Sequence, residues 1–273
     1  MNNYPGKEPK IFALWFISFE NRIEGRGSFS PDNRQFYFTV SNPGFNNQKI
    51  FFTEYRDNKW TQPDTAKFSK KYANWEPFFS SDGQKLYFTS NRNTDSLSNH
   101  KDFYYVTRVG DEWSEPQIEE RPINSRYTEL FFSQSKNGNV YFTSNRPKGK
   151  GSFHIYLATK QLDDSYLVKK LGRPINRFYL NWDPCIAPDE SFIIFSAVRL
   201  VRISYKADLY ITYKIGDRWT RPKNLGRLIK TKANEYGPFL SPDNKYLFFT
   251  RLNQGKNGNI YWVDLNIIKD FNK

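Results

Sequence analysis

The sequence is short of the residues on which most catalytic and metal sites depend. Its 273 residues include one cysteine, Cys185, and two histidines, His100 and His154. A lone cysteine excludes an internal disulfide and any multi-cysteine metal site. Two histidines leave little for imidazole ligands or a Ser-His-Asp triad, and neither a P-loop nor a His-x-x-x-His spacing occurs. No apolar run is long enough to span a bilayer. The stretch from Ile11 to Phe19 follows Lys7 and Lys10 but lacks a small-residue cleavage site, so it reads as a strand, not a leader. The single cysteine does not separate a cytosolic protein from an exported one whose leader has been removed.

Aromatic and basic residues are plentiful. The 25 Phe, 18 Tyr and 7 Trp make up 18% of the chain. So much aromatic surface needs burying, which argues against collagen-like, coiled-coil and disordered classes. The 41 Lys and Arg exceed the 28 Asp and Glu by 13. The excess is lopsided: residues 1–136 are nearly neutral, and residues 137–273 carry net +12. An anionic partner is therefore expected on the C-terminal half.

A repeat organises the whole chain. Its centre reads FSPDNRQFYFT, FSSDGQKLYFTSNR, FSQSKNGNVYFTSNR, IAPDESFIIFSAVR and LSPDNKYLFFTR, registered on Phe38, Phe88, Phe142, Phe195 and Phe249. Each unit parses as a short apolar strand, a Ser-Pro-Asp-like turn, a second strand, a variable loop and a third strand. A fourth strand then opens on Trp-Ser/Thr-x-Pro at Trp60, Trp113 and Trp219, with Tyr166 in that place in the third unit. Four antiparallel strands in about 50 residues predict a propeller blade. The blades fall at approximately 20–68, 72–120, 126–172, 179–228 and 234–264. The last lacks a fourth strand, which an N-terminal strand over 10–18 can supply, and the closing LNIIKDFNK reads as a short helical tail. The expectation is one all-β domain over 1–273, a five-bladed propeller and a monomer.

The SPD turns, the repeated TSNR, the Asp-Ile-Tyr-like third strands and the Trp-Ser/Thr-x-Pro starts resemble the TolB-like, WD-repeat-like bacterial β-propeller family over about residues 9–264. The segment from Thr143 to Gly151 also resembles propellers fused to OmpA-type peptidoglycan-binding proteins. The resemblance implies a binding platform in the periplasm or cell envelope; the cytoplasm is the alternative. The chain departs from the pattern at His154 and at Thr250-Arg251-Leu252.

Propeller geometry places the SPD and Gly-Asp turns on one face and the longer loops on the other, so function is expected on the long-loop face. An acid precedes each first strand: Glu24, Glu76, Glu129, Asp183 and Glu235. Glu76, Glu129 and Asp183 are read as sharing one aligned position, with Glu24 and Glu235 two residues earlier. Trp75, Trp182 and Tyr236 accompany them. One reading is a polar pocket with stacking platforms for a sugar, an amine or a hydrated cation. Another is that each acid ties down the loop entering its own blade. No cofactor is expected, and the acids would also suit a bound cation at the channel mouth.

Arg92, Arg146 and Arg199 end second strands opposite Asp102, His154 and Asp208, which suggests an Arg–Asp clamp within each blade, or else a ligand-facing ring. Basic residues between the later blades, including Arg173, Arg227 and Lys230, would form a cationic arc for an anionic ligand, unless they are simply a solvated surface. Nothing resembles a nucleic-acid motif. The expected function is non-catalytic binding of an anionic, glycan or protein ligand by Trp75, Glu76, Glu129, Trp182, Asp183, Glu235, Tyr236, Arg173, Arg227 and Lys230. The first alternative is a glycoside hydrolase using Glu76, Glu129 and Asp183; the second is a pure scaffold.

Overall fold

The structure is a computed structural model, which describes residues 4–92, 100–146, 152–201, 204–229, 231–253 and 257–271. It is almost entirely antiparallel β. Each repeat opens with an inner strand: Ile23–Phe29, Asn74–Phe79, Glu129–Gln134, Leu180–Ile186 and Asn234–Leu240. The second strands Gln35–Ser41, Lys85–Ser90, Val140–Ser144, Phe192–Val201 and Tyr246–Asn253 pair back on them in register. Third strands follow at Lys49–Arg56, Asp102–Val109, His154–Lys160, Ser204–Ile215 and Asn257–Asp264.

The inner strand of each repeat packs on that of the next, and the fifth packs on the first. The hydrogen-bonded sheets number four, because the fifth and first repeats merge into one nine-stranded sheet through a single parallel bridge, Ile23 to Gly258. The apolar core is correspondingly split. Five clusters lie between successive repeats, such as Tyr37, Phe79, Leu86 and Phe88 between the first two. Alternating apolar residues on both faces of each sheet produce this, since every sheet has a neighbour on either side.

The outer strand departs from expectation. In three repeats it is two short pieces, Lys59–Trp60 with Asp64–Thr65, Glu112–Trp113 with Gln117–Ile118, and Arg218–Trp219 with Lys223–Asn224. Pro63, Pro116 and Pro222 lie in the gaps, and a proline has no N–H to give the ladder. In the third repeat, where this proline is missing, Tyr166–Lys170 pairs without interruption along His154–Lys160. The conserved-looking tryptophan start locks neighbours together: Trp113 Nε1 donates to Tyr37 Oη of the first repeat at 2.8 Å. Trp113→Phe should therefore lower the unfolding free energy by about 1–2 kcal/mol, read as a lower urea midpoint at unchanged slope.

The N-terminal closure is shorter than the expected 10–18. Of residues 10–18 only Lys10–Ile11 pairs as a strand with the last third strand, and Phe12 N–H adds one bond to Ile260 O. Ala13 and Trp15 then take left-handed backbone (φ 45° and 64°), and the chain turns to bury Ile17. Further ties join the two ends of the chain: Thr250 Oγ1 donates to Glu24 O, and Asn259 Nδ2 to Phe19 O. The tail Leu265–Phe271 is a 3-10 helix whose Ile267 and Ile268 enter the core between the fourth and fifth repeats. No helix among the described residues is long and apolar enough to cross a membrane.

Candidate functional site

Every inner strand carries a bulge at the same place, between Glu24 and Gly27, Trp75 and Phe78, Leu130 and Ser133, Trp182 and Cys185, and Tyr236 and Phe239. Counting back from the residue that opens each turn (Ser30, Ser80, Ser135, Ala187, Ser241) gives two aligned positions. The outer one holds Glu24, Asn74, Glu129, Asn181 and Glu235, and the bulge position holds Arg26, Glu76, Phe131, Asp183 and Gly237. Glu129 thus belongs with Glu24 and Glu235, not with Glu76 and Asp183 as expected: counted from the central Phe it stands 13 residues back, between the 12 of Glu76 and Asp183 and the 14 of Glu24 and Glu235. The cause is a turn shorter by one residue: Ser135 N–H reaches Asn139 O, whereas Ser80 N–H reaches Lys85 O.

The outer position is a clamp. Glu129 accepts from Ser125 N–H, Ser125 Oγ, Ser144 Oγ and Arg146 Nη2, the last at 2.9 Å. Arg146 also donates to the Pro122 and Ile123 carbonyls. Glu235 accepts from Thr231 N–H, Thr231 Oγ1 and Arg251 Nε. Glu24 accepts from Arg22 Nε at 2.6 Å. In the second repeat Arg92 grips Asn74 Oδ1 and Phe68 O. These acids fasten the loop entering their own repeat. The arginines' partners are therefore the strand-entrance residues, and the expected Arg–Asp clamp is not formed at Arg92 or Arg146. Asp102 instead meets His100 at 3.2 Å and Asp208 meets Lys206 at 3.1 Å; the Arg199 side chain lies outside the described residues. Arg251, displaced from the usual motif, still reaches its acid.

The bulge position faces the centre. Glu76, Phe131, Asp183 and Gly237 all have left-handed backbone, with φ of 60°, 62°, 53° and 60°. For the three non-glycine residues this costs roughly 1 kcal/mol or more each, and it re-aims their side chains. Glu76 Oε2 accepts from Phe131 N–H at 2.8 Å and Thr89 Oγ1; Asp183 Oδ2 accepts from Gly237 N–H at 3.0 Å and Ser196 Oγ. Each carboxylate thus uses one oxygen to fasten the next repeat's bulge. Among the described residues Asp183 Oδ1, Tyr236 Oη, Trp182 Nε1 and Arg26 Nε and Nη1 have no hydrogen-bond partner. Burial pushes the Asp183 carboxyl up to about 6. Burial, with Asp183 adding to it, raises Glu76 well above the usual carboxylate range, against the pull of Arg26.

Two cavities open over this floor. One, about 360 Å³, is lined by Arg26, Trp75, Glu76 and Gln48. The other, about 450 Å³, is lined by Trp182, Asp183 and Leu180. Phe45, Phe131 and Tyr236 border both. Of the sequence candidates, the structure gathers Trp75, Glu76, Trp182, Asp183 and Tyr236. Glu129 and Glu235 line neither cavity, and Arg173 is exposed outside both. Arg227 and Lys230 fall among side chains outside the described set, as do Lys148, Lys150 and Arg202 of the cationic arc. Among the described residues no group of three or more metal-ligating side chains gathers. Sequence reasoning missed Arg26, Phe45 and Phe131; the first and last become visible on counting four residues back from Ser30 and Ser135.

No family model and no curated protein matches the sequence. Solved structures do resemble it. A TolB-type protein of Agrobacterium tumefaciens aligns at TM-score 0.57 and 14% identity, covering 90% of this chain and 78% of that one. The arabinanase Arb43A of Bacillus subtilis aligns at 0.56 and 10%, covering 90% and 97%. An α-L-arabinofuranosidase of Lactobacillus brevis aligns at 0.55 and 15%, covering 92% and 93%. At these identities the likeness shows a β-propeller fold and leaves the activity to the site itself.

Proposed function

We propose that the chain is a five-bladed propeller, its last blade closed by Lys10–Ile11, acting as a binding module that takes a glycan at the long-loop mouth of its channel. The inner strands packed in a ring of five support the count. The observation that carries the binding reading is the pairing of aromatic walls with buried, unpartnered polar atoms at one mouth: Trp75, Phe131 and Trp182 beside Asp183 Oδ1 and Tyr236 Oη. Flat rings stack on sugar faces while mixed donors and acceptors take hydroxyls. The carboxylates of Glu76 and Asp183 on the floor of this mouth suit a neutral polyol better than an anion. A periplasmic or envelope setting and a monomeric state fit this reading.

A second reading, glycoside hydrolysis, draws on the difference between Glu76, which burial and the Asp183 charge raise well above the usual carboxylate range, and Asp183, raised by burial to about 6, since such pairs can serve as acid and base. We place it second because both carboxylates already have a fastening role. Calorimetric titration with arabinotriose, xylotriose and chitotriose, with product analysis of each mixture, separates them. Expected are saturable binding of at least one sugar, a loss of about tenfold or more in Trp182→Ala, and no cleavage. Cleavage by the wild type that disappears in Glu76→Gln would establish the hydrolase; absence of any binding would remove the glycan reading.

A further inference from the structure

The short-turn end of the channel was expected to offer little to a ligand, and its chemistry says otherwise. A cavity of about 200 Å³ opens there. Arg26, which is 3% exposed, lines both this cavity and the mouth cavity, and its guanidinium stands 6.0 Å from the ring of Phe78 in this cavity's wall. Among the described residues Arg26 Nε and Nη1 have no hydrogen-bond partner, and no carboxylate lies within ion-pair distance of the guanidinium. A buried guanidinium whose donors go unused is costly unless something satisfies it.

The rest of this cavity supplies donors and apolar walls. Ser28 Oγ accepts Phe79 N–H and Ser133 Oγ accepts Ile186 N–H, each at 3.1 Å, which leaves both hydroxyl protons to give. Lys136 stands exposed at the rim, and Phe29, Phe78 and Phe239 form the sides. The cavity lining includes no Asp or Glu among the described residues. The acids of the neighbouring turns are folded back on their own serines: Asp82 onto Ser80 at 2.6 Å, Asp189 onto Ser191 at 2.6 Å, Asp243 onto Ser241 at 2.7 Å. The two ends of the channel thus differ in character: the mouth has carboxylates, and the lining of the turn-end cavity has cations, hydroxyls and the amides of Gln134 and Asn244 with no carboxylate among the described residues.

We infer that this turn-end cavity is a second binding site, for a small organic carboxylate with an apolar body, its carboxylate forked onto Arg26 and its body between the phenylalanines. A planar guanidinium matches a carboxylate bidentately, and the apolar walls strengthen that attraction while favouring a ligand with a hydrophobic group over a bare hydrated ion.

Benzoate is the probe, titrated into the whole protein by calorimetry at fixed ionic strength, with inorganic phosphate in parallel. Expected are saturable benzoate binding tighter than phosphate, a loss of about tenfold or more in Arg26→Met, a loss of a few-fold in Lys136→Glu, and wild-type affinity in Trp182→Ala. Should Arg26→Met fold poorly by circular dichroism, the exposed Lys136→Glu and the charge-keeping Arg26→Lys, expected to weaken binding by loss of the fork, decide the matter. Benzoate affinity unchanged in both Arg26→Lys and Lys136→Glu, phosphate tighter than benzoate, or loss of benzoate binding in Trp182→Ala would each overturn the assignment.

Discussion

Arg146→Ala should lower the unfolding free energy by about 3–5 kcal/mol, enough to threaten folding at ordinary temperatures. The Glu129 side chain is fully buried, and Arg146, at 2.9 Å, is its one charged partner among the ion pairs described. Burial pushes the Glu129 carboxyl up, and the arginine is the strongest influence opposing it. Removing the guanidinium leaves a buried acid with only hydroxyl and backbone donors, and it frees the Pro122 and Ile123 carbonyls as well. Urea unfolding reads the loss directly. Glu129→Leu combined with Arg146→Met should recover part of it, because no buried charge is then left behind. A loss under about 1 kcal/mol for Arg146→Ala would mean the clamp is ornamental.

Stability should peak near about pH 4 and fall by several kcal/mol toward pH 8. Burial holds Asp183 at about 6 against 3.8, and Glu24 at about 7 against 4.5 despite Arg22. The folded state therefore binds these protons more tightly than the unfolded chain. The stability they confer is present below the unfolded values and is lost as pH rises through 6 and 7, roughly 3 kcal/mol for each group. The turn aspartates act in the opposite sense. Hydrogen bonds from Ser80 and Ser191 hold Asp82 and Asp189 below the ordinary value, so their contribution is lost on acidification below it. Urea midpoints from pH 4 to 8 test this. Asp183→Asn and Glu24→Gln should each flatten the alkaline decline; a curve that rises steadily to pH 8 in the wild type would contradict it.

The fold was legible because its signal is repeated. A single Ser-Pro-Asp turn or aromatic strand says little, but five in step place every inner strand, the outer tryptophans and even the tail. What escaped was sub-repeat register. One residue fewer in the turn at Ser135 leaves Glu129 midway between the two positions when counted from Phe142, which let it be grouped with the wrong acids and hid Phe131. The bulges were equally invisible: nothing in Asn-Trp-Glu-Pro or Asn-Trp-Asp-Pro announces that the acid takes φ near +60° and turns to the channel. Pro77 and Pro184, one residue on, are compatible with a bulge but do not by themselves demand one. The broken outer strands could have been read from Pro63, Pro116 and Pro222. Arg26 was overlooked because it stands once, in one repeat, where the search was for features common to all.

The central claim is that two sets of buried acids do different work: Glu24, Glu129 and Glu235 hold loops, whereas Asp183, with Glu76, also faces a ligand. The most direct test is a side-by-side titration of Asp183→Asn and Glu129→Gln with whichever trisaccharide the wild type binds, each variant's urea midpoint being measured as well. Expected is a loss of affinity of about tenfold or more for Asp183→Asn with the fold intact, and wild-type affinity for Glu129→Gln at a lowered urea midpoint. Loss of sugar binding in Glu129→Gln while Asp183→Asn binds like the wild type would contradict the division of roles.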